Sequence, residues 1–104
     1  MTLKELKEML ERTGYPVAYS HFNKRVEPPF ISFIVDNNPN FIADNQVYHK
    51  IKVVNIELYT RIKDESVEGV LEDLLDEQEI TYEPFEVYIE SEKVFQKNYE
   101  VRLY

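Results

Sequence analysis

The chain has 104 residues, a formal net charge of −8 and 43% apolar residues, among them eight tyrosines and six phenylalanines. This length and composition predict one folded domain with a single core, and they exclude an intrinsically disordered chain. The absence of cysteine excludes disulfides, thiolate nucleophiles and zinc–thiolate sites, and the acidic balance disfavours a nucleic-acid-binding protein.

The start of the sequence lacks the pattern of a secretory signal, because charged residues from Lys4 to Glu8 interrupt its apolar positions. No apolar run approaches the roughly 20 residues that are needed to span a bilayer. We therefore expect a soluble protein that is made in the cytoplasm and has no membrane partner.

The first predicted element is a helix from Thr2 to Thr13. Thr2 and Glu5 have the spacing of a capping box, and Gly14 followed by Pro16 ends the helix. Its apolar stripe consists of Leu3, Leu6, Met9 and Leu10. The stripe predicts packing on the chain's own sheet, and the alternative is a docking helix for a partner.

A short strand is predicted from Val17 to Ser20, and a second strand from Phe30 to Val35. Both faces of the second strand carry apolar residues, which indicates a central strand or a second face that is covered. The loop between these strands contains Lys24 and Arg25, which we interpret as part of a solvated loop.

The segment from Asp36 to Tyr48 combines turn-forming asparagines with large apolar side chains. A solvated loop seldom carries several such side chains, so two hypotheses stay open: the loop packs on its own core, or it contacts another subunit. The residues predicted to make a subunit or tube contact are Asn40, Phe41, Ile42, Asp44, Asn45, Val47 and Tyr48.

The clearest predicted strand is Lys50 to Tyr59, which alternates apolar and polar residues. A helix follows from Asp64, its predicted N-cap, to about Gln78. The apolar stripe of this helix consists of Val67, Val70, Leu71, Leu74 and Leu75. We attribute Gly69, in the middle of this helix, to close packing against a strand.

The other side of this helix is acidic, because every charged residue from Asp64 to Glu79 is an acid. The predicted acidic face consists of Glu68, Glu72, Asp73, Asp76 and Glu77. Like charges four residues apart disfavour a helix. The face is therefore either a solvated surface or an electronegative surface that repels DNA or meets a basic partner.

Two extended segments follow, Ile80 to Tyr82 and Phe85 to Glu90, with an interruption at Pro84 that suggests an edge strand or a bulge. A last strand from Val94 to Tyr104 completes a predicted hairpin. The order α-β-β-β-α-β-β predicts a single α+β domain with a mainly antiparallel sheet and both helices on one face.

Catalytic and cofactor-binding patterns are missing from the sequence. His21 and His49 lie in no ligand-spaced motif, and two glycines, Gly14 and Gly69, cannot form a phosphate-binding loop. We therefore predict no enzymatic activity, no metal site and no cofactor.

The stretches FIADNQVYHKI, VNIELYT, KDES, LEDLLDE and YIESEKVFQKNYEV carry a family resemblance. The sequence from Pro29 to Tyr104 resembles the tail terminator, or tail completion, proteins of tailed bacteriophages and prophages of Gram-positive bacteria. The most specific matching positions are Phe41, Ala43, Asp44, Asn45, Tyr48, Ile56, Glu57, Leu58, Tyr59, Lys63 and Asp64. The first helix and the loop from His21 to Pro28 carry little of the match.

This resemblance implies an α/β domain that assembles as a homo-oligomeric, hexameric ring on the end of the tail tube. Its implied partners are the major tail tube protein and the head–tail connector, and the genome DNA would pass through the ring without specific binding. The implied location is the virion tail or neck, after synthesis in the host cytoplasm. The resemblance does not say whether the acidic helix faces the lumen or the outside.

Two alternatives of other kinds remain. One is a different head–tail neck component, such as a head-closure protein. The other is an acidic interaction domain outside phages, such as a DNA mimic that inhibits a basic DNA-binding protein.

Overall fold

The computed structural model describes residues 1–36 and 51–104. Helix α1 spans Leu3–Glu11, and strands β1 and β2 span Val17–Tyr19 and Phe30–Val35. Strand β3 spans Lys52–Thr60, helix α2 spans Glu65–Glu77, and strands β4 and β5 span Tyr82–Ile89 and Val94–Leu103. The predicted α+β class and the order of elements are confirmed.

The described strands form one five-stranded sheet in the order β1-β2-β3-β5-β4. β1 pairs with β2 in parallel, and the other neighbours are antiparallel. This arrangement places β2, β3 and β5 inside the sheet and leaves β4 at one edge, where β5 is its one neighbour among the described strands.

Both helices pack on the same face of the sheet, as predicted. Leu6 and Leu10 of α1 and Leu71 and Leu75 of α2 have no exposed surface. They join one core with apolar residues of the inner strands: Ile31, Phe33, Val54, Ile56, Leu58, Tyr99, Val101 and Leu103. The stripe of α1 therefore belongs to the core, and the docking-helix alternative does not describe it.

Local sequence signals account for both helix starts. The Glu5 N–H donates to Thr2 Oγ1 at 3.1 Å, and the Thr2 N–H donates to Glu5 Oε1 at 2.8 Å, so the predicted capping box is present. The N-cap Asp64 accepts from the Val67 N–H at 3.2 Å. These bonds satisfy N–H groups that the first turn of a helix cannot pair internally.

Pro84 does not divide the fourth strand. β4 is continuous from Tyr82 to Ile89, so the predicted interruption is wrong, whereas the predicted edge position is confirmed. A proline lacks the N–H that an inner strand needs on one of its sides, and an edge strand has one side without a neighbour.

Gly69 has no close neighbour that explains it. A Cβ placed on Gly69 would meet no atom within 4 Å, so the predicted close packing on a strand is wrong. Because alanine has less backbone freedom to lose on folding, we expect Gly69→Ala to raise the free energy of unfolding by about 0.5–1 kcal/mol. Urea unfolding measures this change.

Gly14 provides the matched comparison for Gly69. Its φ is +86°, a conformation that an L side chain seldom adopts, so Gly14→Ala is expected to lower the free energy of unfolding. A loss of stability in Gly69→Ala would mean that other atoms pack against the surface of α2 at this position.

Candidate functional site

The contact site predicted in the loop between β2 and β3 lies outside the described residues. It comprises Asn40, Phe41, Ile42, Asp44, Asn45, Val47 and Tyr48. Its role in subunit or tube contact stays a prediction from the sequence.

The acidic residues of α2 fall into an outward and an inward group. Asp73 and Asp76 are exposed, in line with the predicted acidic face. Glu77 is also exposed, and its Oε1 lies 3.3 Å from a guanidinium nitrogen of Arg12 on α1. The outward group is therefore smaller than the sequence predicts, and one of its members is paired.

The inward group consists of Glu68 and Glu72. Glu68 is only 4% exposed, so its predicted position on an outer face is wrong. It shares the buried side of α2 with Leu71 and Leu75, at helical spacing. A carboxylate is buried at such a position only when it is paired with charges or hydrogen-bond donors.

Two lysines and a tyrosine satisfy these carboxylates. Lys97 Nζ of β5 lies 3.0 Å from both Glu68 Oε1 and Glu72 Oε2. Lys63 Nζ lies 2.8 Å from Glu68 Oε2, and the Tyr99 hydroxyl donates to Glu72 Oε2 at 2.7 Å. We call these residues, with Glu86 at 2.8 Å from Lys63 Nζ, the ion-pair network.

The ion-pair network lowers the pKa of Glu72 and raises the pKa of Lys97 and of Tyr99. Burial alone would raise the pKa of Glu72, but the hydrogen bonds from Tyr99 and Lys97 outweigh burial and lower it. Burial alone would lower the pKa of Lys97, but Glu68 and Glu72 outweigh it and raise that pKa. The burial of Tyr99 and its bond to Glu72 raise the pKa of the phenol. These shifts favour a charged Glu72 and a charged Lys97 beneath α2.

These shifts predict how stability depends on pH. The lowered pKa of Glu72 gives stability that is present above the ordinary value of 4.5 and is lost as the pH falls through the folded value. The raised pKa of Lys97 gives stability that is present below the ordinary value of 10.5 and is lost as the pH rises through the folded value. The ion-pair network is therefore most stabilising between pH 4.5 and pH 10.5, the ordinary pKa values of the two groups.

Glu72→Gln tests the acid side of this window. The variant should lose less unfolding free energy than the wild type between about pH 7 and about pH 3, as measured by urea unfolding. Part of the loss remains in the variant, because the pKa of Asp64 is also lowered by its bonds to Ser66 and Val67. Equal losses in the two proteins would contradict the role given to Glu72.

The face of the sheet opposite the helices carries a row of polar contacts. Ser32 Oγ donates to Glu57 Oε1 at 2.9 Å, and Gln96 Nε2 donates to the Tyr59 hydroxyl at 2.9 Å. The Oδ1 atom of Asn98 on the same face is buried, and none of the described residues hydrogen-bonds to it. Among the described elements no helix covers this face, and we call it the open face.

The loop from residue 20 to 29 lies over one end of the open face and forms a cleft of about 600 Å³ with it. Aromatic rings line this cleft: Phe30 stacks on Tyr59 at 4.7 Å, and Phe22 meets Phe30 edge-on at 5.4 Å. The lining also includes the cations of Lys24, Arg25 and Arg61 and the carboxylates of Glu27 and Glu92. We call it the basic cleft.

Several large apolar side chains of the described surface are exposed outside this cleft. Phe85 of β4 is 57% exposed on the open face, and Tyr88 of the same strand is 47% exposed. Ile34 on the open face and Ile62 before α2 are 36% and 67% exposed. Ile34 and Phe85 share this face but lie on β2 and β4, with β3 and β5 between them.

Within residues 1–36 and 51–104, no group of three or more histidine, aspartate or glutamate residues is placed to hold a metal ion. In those two segments no helix combines the length and the apolar character that crossing a membrane requires. His21 is exposed, with its Nδ1 3.1 Å from Ser20 Oγ.

Reasoning from the sequence missed the ion-pair network, although the sequence contains its signal. Lys97 occupies an inward position in the alternation of β5, between Phe95 and Tyr99. Glu68 occupies an inward position of α2, one turn before Leu71. A lysine and a glutamate on facing apolar surfaces are the pattern of a buried ion pair.

Comparisons with protein-family models, with curated proteins and with solved structures find no match to this chain.

Proposed function

We propose that this chain is a structural phage protein that caps the end of the tail tube as an oligomeric ring, stops tube growth and joins tail to head. The proposal starts from the resemblance of residues 29–104 to tail terminator proteins. Its partners would be further copies of the chain, the major tail tube protein and the head–tail connector, and its place would be the virion neck.

The observation that supports this proposal best is the open face of the sheet. This face exposes the apolar side chains of Ile34 and Phe85 at β2 and β4, while Ser32 and Val53 on the same face are buried, so the exposed apolar groups lie toward the sides of the sheet. A ring former needs surfaces of this kind on each copy, because each copy contacts two neighbours and the tube.

Electron microscopy of particles from a phage or prophage that lacks this chain tests the proposal. We expect over-long tail tubes without heads beside filled heads, because nothing stops the growth of the tube. Tails of normal length beside leaking or empty heads would assign the chain to the head side of the neck instead. Assembled infectious particles would contradict both roles and favour the acidic interaction domain.

A further inference from the structure

The two ends of the sheet carry opposite charge. The basic cleft lies where β5 begins, because Val94 is part of its lining. A second cleft, of about 520 Å³, lies where β5 ends, and the three carboxylates of Glu79, Glu83 and Glu100 line it beside two cations, Arg102 and the Met1 ammonium. We call this second surface the acidic end.

The basic cleft has features that suit an acidic partner with an aromatic group. Lys24 is exposed and has no ion-pair partner within the described residues, and the side chain of Arg25 is 88% exposed at the rim. Arg25 and Arg61 share one carboxylate, that of Glu27. The cations of the lining therefore outnumber its acids, in a chain whose net charge is −8.

The acidic end has the complementary features. Glu79 and Glu83 are exposed, and neither carboxylate has a lysine or arginine nitrogen within 4 Å in the part of the chain that the structure describes. Tyr104 also lines this end, and it is 79% exposed. The acidic end thus offers carboxylates and a ring, and the basic cleft offers cations and an aromatic floor.

One copy cannot join its own two surfaces. On β5 their nearest lining residues are Val94 and Glu100, and six residue steps at about 3.3 Å each place these residues roughly 20 Å apart. The longest dimension of the described molecule is 41 Å. The basic cleft of one copy can therefore meet the acidic end only of another copy.

We infer that copies of this chain associate head to tail, with the acidic end of one copy seated in the basic cleft of the next. This inference rests on the proposed ring and names the surfaces through which its subunits would meet. Contact between two basic clefts or two acidic ends would oppose like charges, so electrostatic complementarity favours the head-to-tail orientation. A contact between two different surfaces closes into a ring when its rotation allows.

Charge reversal tests the inference with two variants of the full chain. Lys24→Glu/Arg25→Glu reverses the rim of the basic cleft, and Glu79→Lys/Glu83→Lys reverses the acidic end. Sedimentation equilibrium at low salt should show an oligomer for the wild type and a dissociation constant raised roughly tenfold or more for each variant. Mixing the two variants, or combining all four changes in one chain, should restore association.

Matched controls place the same changes of net charge on the exposed side of α1. Lys4→Glu/Lys7→Glu and Glu8→Lys/Glu11→Lys should leave the dissociation constant close to that of the wild type. Circular dichroism checks that each variant is folded, as expected for exposed positions. High salt should weaken wild-type association, because it screens the charges of the contact.

Every other outcome overturns the inference. An oligomer that neither reversal weakens would leave the proposed ring standing but assign its contacts to other surfaces. Sensitivity to the reversal of one surface only would mean that this surface meets a different part of the neighbouring copy. A wild type that stays monomeric at low salt up to millimolar concentration would exclude self-association through these ends, while the particle morphology would still test the tail function.

Discussion

Replacing Lys97 by methionine is expected to lower the free energy of unfolding by about 3 kcal/mol, because it removes the cation that Glu68 and Glu72 share. Glu68 is 4% exposed and would keep only Lys63. For a domain of this size the loss corresponds to a decrease in Tm of roughly 12–24 °C. Thermal and urea unfolding measure both quantities.

Lys52→Met is the matched control, because Lys52 is an exposed lysine on the neighbouring strand β3. It should change the free energy of unfolding by less than about 0.5 kcal/mol. Adding Glu68→Leu to Lys97→Met should recover part of the loss, since it removes a buried carboxylate that has lost one of its two lysine partners. If Lys97→Met alone changed the free energy of unfolding only slightly, water would have to solvate Glu68 in place of the lost lysine. The ion-pair network would then not be shielded from solvent.

Leu10→Ala is expected to lower the free energy of unfolding by about 3 kcal/mol, because Leu10 has no exposed surface and the substitution leaves a cavity beneath α1. This prediction distinguishes a helix that packs in the core of the isolated domain from a helix whose apolar stripe docks to a partner. Urea unfolding of the isolated protein measures the change.

Lys7→Ala, one turn earlier on the exposed side of α1, is the control and should have an effect below about 0.5 kcal/mol. If Leu10→Ala were equally mild, α1 would contribute little to the stability of the isolated domain. That result would favour the alternative in which the apolar stripe of α1 docks to a partner.

Periodicity predicted most of the fold. The stripes of α1 and α2 and the alternation of β3 and β5 have one dominant apolar face each, and a single sheet buries most of these residues. Val70 of the predicted α2 stripe is the exception, because it is 40% exposed. The capping box at Thr2 and the N-cap at Asp64 are local signals that need no tertiary information, and both are present. Sheet order and the continuity of β4 past Pro84 depend on which strand lies beside which, and that information is not local.

The candidate sites were less predictable because they depend on pairs of elements. A helical net of α2 alone shows only acids, and the cations that face Glu68 come from the segment before α2 and from β5. Arg61 and Lys24 lie far apart in the sequence and share a cleft only because the loop from 20 to 29 lies over the end of β3. A charge pattern read along one segment therefore overestimates its exposed charge.

The ion-pair network also bears on the proposed role of the acidic helix. Glu68 and Glu72 hold α2 on the sheet, so the outward charge of this helix comes mainly from Glu65, Asp73 and Asp76. Neutralising Glu68 or Glu72 would disturb the fold before any surface property. Experiments on a DNA-facing or partner-facing surface should therefore use the exposed aspartates.

The central claim, that this chain caps a tail tube, is tested most directly by the length of tubes assembled from the major tail tube protein with and without it. We expect tubes to stop growing once the chain is added, with one ring visible at a single end of each tube in electron micrographs. Tubes that lengthen at an unchanged rate, with no chain at either end, would contradict the account.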